Sequence, residues 1–212
     1  MKEKYEGFKM PEEFQTDLWD VKPKEARKFF EWYMSIKDER VAYLDSQYFK
    51  DTGKHLDYTT QSLYDLIIWL APKMELNETG EEYYREVKVW HHVSQEYFTL
   101  ESNFILMDAG MYFNEVILKL IPEYTLGVVT RFKTSFARNQ PYVINPNNKK
   151  VPEITSGVHV LRVSGSRIYD KEPVEKVAMD LKKVPERLLE LYLGFKEQER
   201  QEEEERRMKE NK

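Results

Sequence analysis

A chain of 212 residues with 41% apolar and 33% charged side chains and a formal charge of −5 reads as one globular, soluble unit with a single sizeable core. The absence of cysteine excludes disulfides, thiolate nucleophiles, zinc–cysteine sites and iron–sulfur clusters together. Aromatic residues make up 14% of the chain, so large rings supply much of the burial.

In chain order, residues 1–20 read as an irregular arm pinned by Phe8, Phe14, Leu18 and Trp19. Pro23 suits the first turn of a helix whose apolar face carries Ala26, Phe29, Phe30, Tyr33 and Ile36. The pattern is interrupted at Lys37-Asp-Glu-Arg and resumes at Val41, Leu44 and Tyr48. One long helix and two helices joined by a kink both fit, and Gly53 ends the run. Asp57-Tyr-Thr-Thr offers several caps for a second helix carrying Leu63, Tyr64, Ile67, Ile68 and Leu70, stopped by Pro72. A polar loop over 73–80 and a helix over 81–98 follow.

Residues 100–121 form the expected central helix. Its polar residues Glu101, Asp108, Glu115 and Lys119 fall in a stripe about 40° wide, so such a helix is buried on most sides. Pro122 closes it. The texture then changes to short β-branched runs at 125–131, 141–144 and 157–164, with a turn at Asn145-Pro-Asn-Asn, which predicts a three-stranded antiparallel sheet. A last helix begins after Glu172-Pro and is punctuated by Pro185. From Lys196 the apolar residues almost vanish. The fold class is therefore α+β, with one domain over 1–195 and a solvated helical tail over 196–212. The opening residues have no apolar h-region and the longest apolar run is too polar to span a bilayer, so a cytoplasmic protein with no membrane partner is expected.

Charge is unevenly spread. Residues 124–168 hold seven cations (Arg131, Lys133, Arg138, Lys149, Lys150, Arg162, Arg167) against Glu153, a formal +6, so the rest of the chain sums to −11. The run Arg131-Phe-Lys-Thr-Ser-Phe-Ala-Arg interleaves cations with Phe132 and Phe136, as single-strand nucleic-acid surfaces do. Against nucleic acid, the chain is acidic overall, and the same cations better suit acidic helices of the chain itself or an acidic protein partner.

Other chemistry is weakly signalled. Asp108 and Glu115, seven apart, share a face of the central helix with Tyr112 close by; they form a candidate acid–base cleft, or else line a narrow solvent seam. The Glu-x-x-His pattern of helix-bundle metal sites is absent, and adjacent His91 and His92 diverge by about 100° on a helix, so no metal is expected. Neither a Walker A loop nor a spaced dinucleotide-binding glycine set is present, so no cofactor is expected and no catalytic residue is assigned.

Three segments stand out together: Lys24-Glu-Ala-x-x-Phe-Phe-Glu-Trp with Glu39-Arg-x-x-Tyr-Leu, then Asp108-Ala-Gly-Met-Tyr-Phe-x-Glu-Val, then Gln140-Pro-x-Val. They resemble a group of uncharacterised bacterial cytoplasmic proteins of about 200 residues, over roughly residues 20–165. The resemblance implies a bacterial, single-domain, helix-dominated protein and carries no activity. Three functions stay open. The first is a non-catalytic protein-interaction module, of immunity or inhibitor type. The second is a nucleic-acid accessory protein acting through Arg131, Lys133, Phe136, Arg138, Arg162 and Arg167. The third is a small-ligand cleft or enzyme at Asp108, Tyr112 and Glu115.

Overall fold

The computed structural model describes residues 4–14, 18, 20–76, 98–130, 138–147 and 153–210. Helix α1 (Pro23–Thr52) is one unbroken helix of 30 residues. Pro23 opens it, and the Glu25 carboxylate accepts from the Lys22 N–H at 2.9 Å. Gly53 ends it at φ 71°, a left-handed conformation that costs glycine nothing, and its N–H reaches the Phe49 carbonyl at 2.8 Å. There is no kink at Lys37-Asp-Glu-Arg. Ala26, Phe29, Tyr33, Lys37, Arg40, Leu44 and Tyr48 form one continuous buried stripe, so the two cations occupy core positions of a single helix.

Helix α2 (Thr60–Leu70) is capped by Thr59, whose hydroxyl accepts from the Ser62 N–H at 3.2 Å. It buries Leu63, Leu66, Ile67 and Leu70, and Pro72 lies in the 3-10 turn that follows, Ala71–Lys73. The helix expected over 81–98 lies outside the described residues except for Phe98, a buried ring whose backbone bridges Leu76.

Helix α3 (Leu100–Leu120), capped by Thr99, is the axis of the fold. Every residue from Ser102 to Asn114 is buried, and α1, α2 and the two C-terminal helices all pack on it. Strands β1 (Thr125–Val128), β2 (Pro141–Ile144) and β3 (Glu153–Thr155) follow, antiparallel and in the order β1-β2-β3. Thr125 pairs with Ile144 and Val128 with Pro141, while a bulge at Val143/Ile144 sets the register of β3.

The sheet therefore has the expected strand number and sense, with one element misassigned from sequence. Residues 157–164 are not its third strand; they open helix α4 (Gly157–Tyr169). The segment carries both periods. Val158 and Val160 alternate as in a strand, whereas Val158, Leu161, Arg162 and Gly165 recur at helical spacing, and the latter set is buried. Backbone proximity decides between them. A Cβ on Gly157 would overlap the Gly110 carbonyl, and one on Gly110 would collide with the Val158 backbone, so α4 crosses α3 on two glycines.

Helix α5 (Val174–Glu210) runs for 37 residues and passes through Pro185 without ending. Val177, Ala178, Leu181 and Pro185 are buried, and the helix packs on α2 with Glu186 accepting from the Thr60 hydroxyl at 2.8 Å. Tyr192 meets Tyr124 edge-on, and Lys196 pairs with Glu123 at 2.9 Å. Beyond Tyr192, each residue to Glu210 is exposed. The molecule is thus α+β: a helical body, a small antiparallel sheet, and a long C-terminal helix. No helix among the described residues is long and apolar enough to cross a membrane.

Candidate functional site

The polar stripe of α3 is closed at its middle and open toward its ends: Glu101 and Glu115 are partly exposed and Lys119 is exposed, whereas Asp108 is fully buried. Arg40 grips it with two parallel bonds, Nε to Oδ1 at 3.0 Å and Nη2 to Oδ2 at 2.6 Å, and the Tyr5 hydroxyl donates to Oδ2 at 2.6 Å. Arg40 Nη2 also donates to the Glu6 carbonyl at 2.7 Å, and the rings of Tyr43, Phe8 and Tyr5 surround the guanidinium at 4.8, 5.4 and 5.8 Å. About two turns along α3, Lys37 pairs with Glu115 at 2.6 Å and with Asp38. Because α1 and α3 run antiparallel here, Lys37 meets the later carboxylate and Arg40 the earlier one. Glu101, at the head of the stripe, accepts from the Tyr5 backbone N–H, and Lys119, at its foot, sits 3.2 Å from the Tyr58 ring centroid.

The electrostatics follow from this packing. Burial raises the Asp108 carboxyl to about 6, against the downward pull of Arg40 and Tyr5. Burial also pushes the Tyr5 hydroxyl well up, reinforced by the Asp108 charge beside it. Burial alone would lower Lys37, but its bonds to Asp38 and Glu115 outweigh that and leave it raised; Arg40 is raised in the same way by Asp108. At neutral pH Arg40 and Asp108 are therefore an ionised pair, one charge offsetting the other.

The three residues of the expected cleft are thus buried or paired rather than gathered around one space. Asp108 faces Arg40 of α1 and Tyr5 of the N-terminal arm, Glu115 faces Lys37 of α1, and the buried Tyr112 hydroxyl accepts from the Tyr58 N–H at 2.8 Å and is hydrogen-bonded to the Ser62 hydroxyl. Their partners Tyr5, Lys37 and Arg40 went unidentified in the sequence. A signal for two of them exists: Lys37 and Arg40 stand at 3–4 spacing inside an apolar stripe, where a cation needs a buried partner, and the buried helix holds two carboxylates seven apart. A cleft of about 570 Å³ lies among Lys4, Tyr5, Lys50, Trp69, Lys73 and Glu101. It touches Tyr5 and stops short of Asp108.

The basic segment is divided by the fold. Arg131, Lys133 and Phe136 lie outside the described residues. Arg138 is half-buried, bridged through its backbone to Val129. Arg162 points inward from α4 and is buried against α3, where Nη2 donates to Asn103 Oδ1 at 2.7 Å. Arg167 is held by Glu172 through two bonds of 2.9 Å and by Asp180 at 2.7 Å; the bonds from Arg167 and Lys176 lower the Glu172 carboxyl to about 2. Arg162 and Arg167 therefore do not share an outward basic face. Among the described residues no group of three or more metal-ligating side chains converges. Compared with family models, curated proteins and solved structures, the chain matches none.

Proposed function

We propose that the protein is a non-catalytic interaction module that engages a basic protein partner through helix α5. The observation that carries this reading is the apolar surface where α5 leaves the body. Leu191, Leu193 and Phe195 are 58%, 56% and 59% exposed, and Leu191 and Phe195 stand one turn apart on one face. Three large apolar side chains presented within five residues are unusual on a highly charged helix, and an amphipathic helix laid in an apolar groove is a common recognition mode. The residues that follow supply charge. Positions 197–210 carry seven glutamates against Arg200, Arg206, Arg207 and Lys209, so a partner groove with a basic rim is complementary. Such rim charges act mainly on association rate and specificity. An immunity or inhibitor protein that covers a basic active surface has this form.

The test places a photo-crosslinking residue at position 191, with position 34, an exposed site on α1, as control. The reading expects one protein adduct specific to position 191. That protein, once purified, binds wild type with an affinity that falls as salt rises, and does not bind the Leu191→Asp/Phe195→Asp variant. Adducts common to both positions, adducts with a second copy alone, or binding indifferent to the double substitution would each overturn it.

A further inference from the structure

Arg162 carries a positive charge into the interior that nothing among the described residues neutralises. It is 6% exposed, as buried as Lys37 and Arg40, but each of those faces a carboxylate. Arg162 has a neutral partner instead. Asn103 is held by its own amide, with Nδ2 donating to the carbonyls of Phe98 and Thr99 at 3.2 and 3.0 Å, so that Oδ1 is aimed at Arg162 Nη2. The other terminal nitrogen, Nη1, is out of contact with solvent and has no hydrogen-bond partner among the described residues. A guanidinium buried without a counter-ion is strongly disfavoured, and a buried donor left unmade adds to that cost. Burial pulls the group down to about 9, so it still carries its charge at neutral pH.

The surroundings suit an anion. Phe98 and Leu106 are buried and close over Gly165, one turn beyond Arg162 on the same helix, and Arg162 itself is only 6% exposed, so its charge is little screened by solvent. His159, one turn before Arg162, is exposed at the outer edge; partial burial and then the Arg162 charge lower its pKa. Arg162 thus lies one turn behind a histidine that senses it, with two N–H groups of Nη1 uncommitted.

We propose that Arg162 Nη1 is the receptor for a small oxyanion, a carboxylate or a phosphate, that enters between α3 and α4 beside His159. The guanidinium fork is suited to such oxygens, and Asn103 holds it in one orientation before the anion arrives. His159 at the rim would take up a proton more readily once the anion offsets the arginine charge. This site is independent of the α5 surface and stands or falls separately from it.

The experiment compares thermal unfolding of wild type and Arg162→Met in chloride, inorganic phosphate and succinate at one ionic strength, and follows the His159 ring by proton NMR titration in each salt. Wild type is expected to gain roughly 5–10 °C at a hundredfold excess over Kd, saturably. Arg162→Met should not respond, and in chloride it should melt no lower than wild type, since it removes an uncompensated charge. The His159 pKa should rise with the bound anion in wild type alone. A response to phosphate alone assigns a phosphate ligand, and one to succinate alone a carboxylic acid. Equal shifts in both proteins, or a wild-type melt and a His159 titration unmoved by either anion, would overturn the site. If Arg162→Met does not fold, the wild-type His159 titration decides by itself.

Discussion

Replacing Arg40 by Met tests the charged seam most directly. The substitution keeps much of the side-chain volume and removes the two bonds to Asp108, the bond to the Glu6 carbonyl and the cation among three rings. Asp108 stays fully buried with Tyr5 as its remaining donor. Breaking a buried pair from one side costs about 3–5 kcal/mol, which is a fall of roughly 6–20 °C for a chain of this size. The loss should also depend on pH. The folded Asp108 carboxyl already stands at about 6, above its unfolded value near 4. A carboxyl raised on folding binds its proton more tightly in the native state, so its effect is absent below the unfolded value. The penalty grows as pH rises from about 4 through 6, by about 3 kcal/mol in wild type. Without Arg40 the folded value moves higher and the penalty continues to grow toward neutrality. Urea unfolding followed by tryptophan fluorescence between pH 5 and 8 should show a gap of several kcal/mol at pH 7.5 that narrows at pH 5. The double variant Arg40→Met/Asp108→Leu should recover most of the loss. A gap below about 1 kcal/mol, or one constant with pH, would mean that Arg40 does not offset the buried carboxylate.

Gly157→Ala should cost 1–3 kcal/mol or more in thermal unfolding, because its Cβ meets the Gly110 backbone, whereas Gly165→Ala meets side chains at 3.3 Å and should cost less; equal losses would argue against the glycine crossing. Thr59→Ala removes the α2 cap and should lose about 1 kcal/mol in urea unfolding, while an unchanged midpoint would show that the cap hydroxyl contributes nothing there. Deleting residues 197–212 should reduce the helical circular dichroism and leave the melting temperature within about 2 °C, since positions 197–210 are exposed throughout and surface pairs such as Arg207–Glu203 contribute little. A larger fall would mean that the extension packs on the body.

Much of this architecture is written in local sequence. Pro23, Gly53, Thr59, Thr99 and Pro122 mark helix ends because capping and ring geometry act within a few residues of the chain. Helix α3 is legible as the central element because a helix apolar on nearly all sides has nowhere to go but the interior. The α+β class follows from the change of period after Pro122.

Where local signals were balanced, tertiary packing decided. The 157–164 segment supports a strand and a helix almost equally, and the close approach of Gly157 to Gly110, 47 positions earlier in the chain, selects the helix. The carboxylates of α3 were visible in the sequence as a stripe, but not the cations that meet them. Charge pairing depends on which residues are brought within a few ångströms, and only the antiparallel packing of α1 on α3 sets Arg40 against Asp108 and Lys37 against Glu115. For the same reason, a run of arginines that looks like one basic surface in sequence was separated by the fold. Helical rotation turns Arg162 inward and leaves Arg167 with Glu172 and Asp180, since residues five apart on a helix point in different directions and answer to different neighbours.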